Sequence, residues 1–134
     1  MPAGYKLTQL AEATGGQLCI GVGWSLPQLI ESLDRGAHFL TTASVNRPFV
    51  KVMQLHRASR RKEAIDLFNA TLPFVAFKQQ HLDISLNILK RYCVRRGIFK
   101  TAKCRDPILP FDAHHERLTQ EVLDGIIALE DSLR

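Results

Sequence analysis

Three short patterns in this chain have residue types and spacings that are known from chemical sites. Ser59-Arg-Arg-Lys62 has the Ser-x-x-Lys spacing of enzymes that use a serine nucleophile. The adjacent His114 and His115 offer imidazoles to a metal, and Gly15-Gly16 could begin a phosphate loop. Each pattern is incomplete. The companion boxes of Ser-x-x-Lys enzymes are missing, neighbouring helical residues diverge by about 100°, and no Gly-Lys-Ser/Thr follows the glycines. We therefore expect no metal and no nucleotide or other cofactor, and we predict that Gly15-Gly16 ends a helix.

Three further histidines and three cysteines stand alone in the sequence. They are His38, His56, His81, Cys19, Cys93 and Cys104. We predict that these histidines pack or lie at the surface, because none has a partner at ligand spacing. An odd number of cysteines without a Cys-x-x-Cys pair argues against a disulfide framework and a zinc site. We expect Cys19 and Cys93 to fill the core, in a reducing compartment such as the cytoplasm.

The composition of the 134 residues predicts a folded chain. Hydrophobic residues make up 46% and charged residues 23%, and there is no low-complexity run. No apolar stretch reaches the roughly 18 residues that a membrane-spanning helix needs. Residues 1–6 lack the apolar core of a signal peptide. We therefore expect a cytoplasmic protein without a membrane partner.

The elements that would position a site are clearest in residues 17–46. Residues 17–23 are short, apolar and end in glycine, which predicts a strand. Ser25 as N-cap and Gln28 three residues later form the pattern of a capping box, so we predict that a helix starts there. Residues 36–43 begin with a helix-stopping glycine and predict a second buried strand. A connecting helix makes the two strands parallel. Because parallel sheets need more strands and cover on both faces, this unit indicates a piece of a larger α/β protein.

Beyond residue 43 the periodicity is helical almost to the end of the chain, with no internal repeat and no linker. We predict helices that start at Arg47-Pro48, over residues 60–68 with an apolar run over 72–77, over residues 82–94, and after Asp112. An extended connector should cover residues 101–111. Proline in a first turn, a glycine at position 97 and an aspartate cap support these limits. The residues predicted to face the core are Phe49, Val52, Met53, His56, Ala64, Ile65, Phe68, Leu82, Ser85, Leu86, Leu89, Cys93, Leu118, Val122, Ile126, Leu129 and Leu133, with Ile84 and Ile88 beside them.

The net charge of +5 comes from 18 basic and 13 acidic residues. The cations cluster in residues 57–62 and 90–96. Clustered cations bind phosphates without sequence selectivity, so a small non-enzymatic helical module that binds a partner or nucleic acid is one interpretation. Both clusters lie at predicted helix ends, where the helix dipole favours cations. We therefore favour solvated helix faces and do not expect nucleic acid.

Taken in order, these segments resemble the C-terminal part of the dihydrodipicolinate synthase and N-acetylneuraminate lyase family. Its members are class I aldolases and related dehydratases on a (β/α)8 barrel, also called a TIM barrel. The resemblance rests on a glycine turn at residues 21–24, in the place of the seventh strand, and on residues 36–46 in the place of the eighth. It continues through Pro48, Leu72-Pro73, Gln79-Gln80, Lys90, Arg96-Gly97 and Arg105-Asp106-Pro107. The order and spacing of these segments carry the resemblance, because no single motif is specific.

The resemblance implies a Schiff-base mechanism whose key residues are absent from this sequence. In the family, a lysine on the sixth strand forms an imine with pyruvate or a related 2-oxo acid. A tyrosine after the fourth strand shuttles protons, and a Gly-Thr-Thr-like turn near the second strand holds the carboxylate. Met1 aligns just after the lysine strand, and residues 2–5 then resemble the loop that follows it. A complete barrel takes about 250 residues, so this chain resembles roughly half of one.

The lysines of this chain are not expected to replace the family lysine. They are Lys6, Lys51, Lys62, Lys78, Lys90, Lys100 and Lys103. Schiff-base chemistry needs an amine of lowered pKa in a dry pocket, whereas we expect these side chains on solvated helix faces and loops. No catalytic residue is therefore assigned, and the chain should be inactive by itself.

Substrate-binding residues are expected at the C-terminal ends of the two strands, where barrel sites lie. By the resemblance, Gly21 and Gly23 leave room for substrate, although a plain turn explains such glycines equally well. Thr41 takes the place where a backbone carbonyl approaches the bound keto acid, and Thr42 is adjacent. Phe39 stands where the family usually has glycine, which argues against a standard pocket floor.

Two more candidates follow the second strand. Ser44 and Asn46 fall in the next loop and could bind substrate hydroxyls. Asn46 is also an ordinary helix-entry residue, and we favour that role because asparagine is a preferred N-cap.

The fold predicted from these observations is α/β: the C-terminal part of a (β/α)8 barrel with about two parallel strands and a helical C-terminal extension. We expect a single unit in which residues 1–58 supply the last barrel strands and helices and residues 59–134 supply the extension. The complete enzyme would be a lyase for aldol cleavage, condensation or dehydration of pyruvate or a related 2-oxo sugar acid. The expected partners are that small molecule and either a homo-oligomer or a missing barrel half.

Overall fold

The computed structural model describes residues 2–24 and 26–133; Met1, Ser25 and Arg134 lie outside these ranges. Within the described ranges, two short strands alternate with the first three of six α-helices, and the remaining elements are helices alone. The elements are α1 (Ala3–Ala13), β1 (Gly21–Val22), α2 (Leu29–Asp34), β2 (Phe39–Leu40), α3 (Asn46–Arg57), α4 (Arg61–Lys78), α5 (Leu82–Arg95) and α6 (Ala113–Ser132). A 3₁₀ turn, Leu26–Gln28, precedes α2.

The two strands pair in parallel, as the sequence predicts. Gly21 faces Phe39 and Val22 faces Leu40 in a sheet of two strands. Both strands are shorter than predicted, because each has one neighbour and the ladder has no further support. Helix α2 also begins later than predicted, after the 3₁₀ turn. The proposed capping residue Ser25 lies outside the described residues.

The N-terminal segment is helical rather than a loop. Helix α1 begins at Ala3, so the prediction of a loop over residues 2–5 is wrong. Its end is as predicted, because Gly15 and Gly16 follow with φ of 56° and 72°. Non-glycine residues rarely adopt this left-handed conformation. The Gly16 amide donates to the carbonyl of Ala11 at 3.0 Å and closes the helix end.

Helix α4 extends further beyond its predicted end than any other described helix does. The prediction ends a helix at Phe68, but α4 runs without a break to Lys78 with Pro73 inside it. Proline removes one backbone donor and usually ends or kinks a helix. Here the residues after it, Phe74, Val75 and Phe77, are all buried. Their burial stabilises the last turns in spite of the proline.

The last two helices have the predicted limits, but parts of their predicted core faces are wrong. Leu82, Leu86 and Leu118 are exposed. Ile84 and Ile88, which were predicted beside the core face of α5, are buried, and in α6 the unpredicted Leu123 is buried. The buried stripe of each helix is therefore rotated relative to the predicted one. The end of α5 is followed by Gly97 with φ of 70°. The start of α6 is capped by Asp112, whose Oδ1 accepts from the His115 amide at 2.8 Å.

One continuous apolar core joins the barrel-like segment to the C-terminal helices. Helix α4 lies at its centre and contacts α2, α3, α5 and α6. The fully buried members of the core include Leu29, Phe49, Val52, Ile88 and Leu123. Cys93 belongs to this core, as predicted, whereas Cys19 is exposed, so the prediction for Cys19 is wrong. None of the helices in the described part of the chain is long and apolar enough to cross a membrane.

Candidate functional site

One face of the two-stranded sheet is uncovered, and three of the predicted site residues lie on it. Successive side chains of a strand alternate between faces. Val22 is buried and Leu40 packs against the helical core, so these two residues turn toward the helices. Gly21, Gly23 and Thr41 are exposed on the opposite side together with Phe39. We call Gly21, Gly23, Phe39 and Thr41 the open face.

Thr41 is held at the edge of the open face by β1. Its amide donates to the carbonyl of Val22 at 2.9 Å, and its hydroxyl donates to the same oxygen at 3.4 Å. A Cβ placed on Gly23 would lie 3.4 Å from the Thr41 Oγ1, so the two residues are direct neighbours. The structure therefore brings together Gly21, Gly23 and Thr41, the residues predicted at the ends of the two strands.

Phe39 fills the space over Gly21. A Cβ built on Gly21 would lie 2.2 Å from the Phe39 Cζ, which no real contact allows. The absence of a side chain at position 21 thus makes room for an aromatic ring from the same chain. The Phe39 ring remains 44% exposed, so it gives the open face an apolar floor.

The other predicted site residues turn away from the open face. The Thr42 hydroxyl donates to the carbonyl of Ser44 at 2.9 Å and is used to shape the loop. Asn46 is the first residue of α3, so its predicted helix-entry position is confirmed. Its predicted capping role is wrong, because the N-cap is Val45, which adopts a left-handed φ of 57° and makes no side-chain cap. Val45 is buried in the apolar core, and this packing stabilises its strained backbone conformation.

Ser44 and Asn46 line a cavity of about 590 Å³ between the loop after β2 and the C-terminal helices. We call it the loop cavity. Its other walls come from Arg47 and Val50 of α3, from α5 and the segment after it, and from Glu130 of α6. The members of α5 and the following segment are Tyr92, Cys93, Ile98 and Phe99. The predicted site residues thus divide between two places, the open face and the loop cavity.

A partly buried charge cluster forms one wall of the loop cavity. Both the Tyr92 hydroxyl and the Arg96 guanidinium donate to Glu130 Oε2, at 2.6 and 2.5 Å. Arg96 donates its other nitrogen to Asp131 at 2.9 Å. Burial and the hydrogen bond to Glu130 raise the pKa of Tyr92, and the bonds to the carboxylates raise the pKa of Arg96. Tyr92, Arg96 and Glu130 are called the Tyr–Arg–Glu cluster below.

This cluster was not predicted from the sequence, although a pattern in α6 points to it. Glu130 continues the series Val122 and Ile126 at intervals of four, so it lies on the buried stripe of α6. A carboxylate on such a stripe needs a buried partner. The arginines of residues 90–96 were the obvious candidates for the partner of the Glu130 carboxylate.

Lys78 corrects the prediction that all lysines are solvated. It is only 7% exposed, and burial lowers its pKa. Its Nζ lies 5.3 Å from the centre of the Trp24 ring, in the segment that follows β1. No described residue forms an ion pair with it. The preceding Phe74 and Val75, at intervals of four and three, already place position 78 on the buried side of α4.

Most cations of the two basic clusters are paired with carboxylates of the same chain. Arg60 bonds Glu63 in two places, Lys62 bonds Asp66, and Arg61 reaches Asp34 of α2 at 2.8 Å. In the second cluster, Arg91 forms a double hydrogen bond with Glu116, and Arg95 bonds Asp124 at 2.5 Å. The bond from Arg91 lowers the pKa of Glu116. Within residues 2–24 and 26–133, no group of three or more His, Cys, Asp or Glu side chains is placed to hold a metal.

Comparison with known proteins gives solved structures but no sequence family. No protein-family model matches the sequence, and no curated protein matches it. The dihydrodipicolinate synthase of Rhodopseudomonas palustris superposes with a TM-score of 0.81 and 25% identity, over 92% of this chain and 42% of that chain. The dihydrodipicolinate synthase of Oceanobacillus iheyensis gives 0.80 and 16%, over 96% and 44%. The chain has the fold of a C-terminal portion of the dihydrodipicolinate synthase family.

This finding confirms the predicted resemblance and the predicted fold of a partial (β/α)8 barrel. The chain spans less than half the length of the dihydrodipicolinate synthases it matches. In a barrel of this kind the helices cover the outside of the strands. The open face is turned away from the helices of this chain.

Proposed function

We propose that this chain is the C-terminal part of a lyase that forms a Schiff base with pyruvate or a related 2-oxo sugar acid. The reaction would be an aldol cleavage, a condensation or a dehydration. The observation that supports this most is the open face, on which Gly21, Gly23 and Thr41 lie together, with Gly23 and Thr41 directly after the two parallel strands. In the proposed barrel this face would be the interior side. Barrel enzymes bind their substrates at the carboxyl ends of the strands.

In this proposal the open face supplies shape rather than catalytic groups. Gly21 and Gly23 bring no side chain, so the backbone can approach a ligand closely. Thr41 would lie beside the bound keto acid, whereas the Thr42 hydroxyl is engaged in its own loop, so we no longer assign Thr42 to this surface. Phe39 makes the floor more apolar than a glycine would. Ser44 and Asn46 lie at the loop cavity, so we no longer assign them to the same binding surface.

The lysine imine and the proton-shuttling tyrosine of the resembled family would come from the other part of the barrel. Residues 1–58 would then supply the last barrel strands and helices, and residues 59–134 the helical extension. The chain would act in the cytoplasm, where its three free cysteines remain reduced. It would associate either with a separate barrel half or with further copies of itself, and it would be inactive alone.

A trapping experiment tests the inactivity. The chain is incubated with pyruvate and borohydride, and each lysine is examined by mass spectrometry for a pyruvyl adduct. We expect no adduct, because the family lysine is absent and Lys78 is enclosed by α4 and Trp24. Stoichiometric adduct on Lys78, lost in Lys78→Arg, would show that this chain carries an imine-forming lysine of its own.

A chimera tests the lyase assignment itself. The matched C-terminal portion of the Rhodopseudomonas palustris dihydrodipicolinate synthase is replaced by this chain, so that the rest of that enzyme supplies the barrel lysine. We expect a folded chimera that forms a borohydride-trapped adduct with a 2-oxo acid. A second chimera with Thr41→Val and Gly23→Leu serves as control, because it should fold but bind the acid weakly. A folded chimera that takes no 2-oxo acid would contradict the proposal.

A further inference from the structure

The loop cavity contains hydrogen-bond donors that no acceptor satisfies. Ser44 is only 6% exposed, and its hydroxyl has no hydrogen-bond partner. Arg47 makes a single long bond, 3.4 Å from its Nη1 to the backbone oxygen of Glu130. No described carboxylate forms an ion pair with Arg47. Arg47 is exposed, whereas the Ser44 hydroxyl is buried. A buried polar group without a partner costs the folded state free energy, so the Ser44 hydroxyl marks the place of a ligand or a water.

The first turn of α3 adds further donors at the same place. The first four N–H groups of a helix have no partner within the helix. In α3 these donors belong to Asn46, Arg47 and Phe49, because Pro48 has no N–H. The N-cap of α3 is Val45, whose side chain cannot accept a hydrogen bond and makes no cap. Helix α3 has 12 residues, so its dipole also favours negative charge at this end. Ser44, Asn46 and Arg47 surround this turn and line the cavity.

The acceptors in the cavity wall are already occupied. Glu130 receives hydrogen bonds from Tyr92 and Arg96, and the Arg96 guanidinium balances its charge. Glu130 therefore leaves the Arg47 charge unmatched. The groups that lack a partner are donors and a cation, so the missing partner is an acceptor with negative charge.

The rest of the cavity is apolar and open to solvent. Val50, Ile98 and Phe99 line it and are among the most exposed large hydrophobic residues of the chain. A volume of about 590 Å³ lies within the range of small-molecule sites. An acceptor that fits both parts has a charged head and a short apolar body.

We infer that the loop cavity binds a small organic carboxylate. Arg47, the Ser44 hydroxyl and the free amides at the start of α3 hold the carboxylate, and Val50, Ile98 and Phe99 contact the hydrocarbon part. This inference does not depend on the proposed lyase activity, because it concerns the outer side of the β2–α3 loop and its contacts with α5 and α6.

A titration of the ¹⁵N-labelled chain with sodium butyrate tests the inference by nuclear magnetic resonance. We expect saturable shifts of the amides of residues 44–47 and of the Arg47 side chain, with a Kd of roughly 1–10 mM for so small a ligand. Sodium chloride at equal ionic strength controls for screening. Butyramide, which has the same shape without the charge, controls for simple apolar contact. Inorganic phosphate is titrated in parallel to separate a general oxyanion site from a carboxylate site.

Three variants complete the test. Arg47→Gln should weaken butyrate binding about tenfold or more, because it removes a charge-assisted hydrogen bond. Ser44→Ala should weaken it by less. Lys51→Gln is the matched control, since Lys51 is an exposed cation of the same helix outside the cavity, and it should leave the Kd unchanged.

Each outcome of the titration either supports the inference or contradicts it. Binding of butyrate that is lost in Arg47→Gln and retained in Lys51→Gln supports the inference. No saturable change at residues 44–47 up to about 50 mM butyrate would overturn it. Equal binding of butyramide, or phosphate binding tighter than butyrate, would overturn the assignment to an organic carboxylate. A folded Arg47→Gln variant with unchanged affinity would do the same.

Discussion

The ring of Phe39 lies directly over the α-carbon of Gly21, its partner across the parallel strand pair. A Cβ at position 21 would meet three ring carbons of Phe39 at 2.2 to 2.7 Å. One residue thus lacks a side chain where its neighbour has a large one. The pair fills the floor of the open face with an aromatic ring from within the chain.

Gly21→Ala should therefore lower the free energy of unfolding by about 1 kcal/mol, which is near the lower end of the range for overpacking. We expect the lower end because Phe39 is half-exposed, so its ring can change rotamer to make room for the new methyl group. In a Phe39→Ala background the same change should cost close to nothing, giving a coupling energy of about 1 kcal/mol. Urea unfolding measures both. Gly125→Ala is the control: nothing lies within 4 Å of its added Cβ, so it should stabilise α6 by about 0.5–1 kcal/mol. Equal costs for Gly21→Ala in the two backgrounds would show that the ring does not occupy this space.

The Tyr–Arg–Glu cluster should contribute strongly to stability. Glu130→Gln removes the buried carboxylate of the cluster, while the partly buried Arg96 keeps its pair with Asp131, so we expect a cost of about 2 kcal/mol. Tyr92→Phe removes one hydrogen bond to the same oxygen and should cost about 1 kcal/mol. Asp124→Asn, which breaks the more exposed pair with Arg95, should cost less than about 1 kcal/mol. Chemical denaturation ranks the three, and a Glu130→Gln variant as stable as Asp124→Asn would contradict the burial of the cluster.

Lys78 should make stability rise in the alkaline range. Because burial lowers its pKa, the folded protein loses the proton at a lower pH than the unfolded chain does. Between these two pKa values the unfolded state binds more protons. The free energy of unfolding therefore increases with pH up to the ordinary lysine pKa of about 10.4. Below this window the charged amine lowers the stability of the fold by a constant amount.

Lys78→Met should remove both effects. It should raise the free energy of unfolding at neutral pH by on the order of 1 kcal/mol, because a buried unpaired charge is replaced by an apolar chain of similar length. It should also flatten the alkaline rise. Lys6→Met, at an exposed position of α1, is the control and should change neither quantity. Loss of stability in Lys78→Met would mean that the contact with Trp24 outweighs the cost of burial.

The isolated chain should associate through the open face and the free edges of the sheet. Unpaired strand edges and exposed apolar side chains such as Leu18, Trp24 and Phe39 favour contact with another chain. Size-exclusion chromatography with light scattering should show a mass that rises with concentration, and Phe39→Lys should reduce it. Hydrogen exchange should be faster at residues 21–22 and 39–40 than in α4. A monodisperse monomer with strong protection of both strands would contradict this prediction.

The basic clusters should bind nucleic acid weakly. Arg60, Arg61, Lys62 and Arg95 are each paired with a carboxylate, so few cations are free to displace counterions. We expect a log–log salt slope of only about −1 to −2 on duplex DNA and no sequence preference. Fluorescence anisotropy at several salt concentrations measures both. Sub-micromolar binding at about 150 mM salt that is lost when Arg60, Arg61, Arg95 and Arg96 become alanine would favour the non-enzymatic binding module.

The sequence by itself determined the order of elements and the partial barrel. Two glycine-bounded apolar runs joined by one helix make parallel strands, because a crossover helix returns the chain to the edge of the sheet where the first strand began. The ends of α5 and α6 were also readable, since Gly97 and Asp112 act through local backbone geometry. Order and spacing were enough for the resemblance to dihydrodipicolinate synthases, which the solved structures confirm.

Only the tertiary structure decided which polar residues are buried and which predicted site residues meet. Pro73 would end an isolated helix, but packing of the residues after it against distant elements keeps α4 intact and buries Lys78 at its end. Ser44 and Asn46 follow Thr41 closely in sequence, yet the left-handed Val45 and the contacts of α5 and α6 turn them into the loop cavity. Burial depends on what packs from far along the chain, and a local pattern carries no information about those partners.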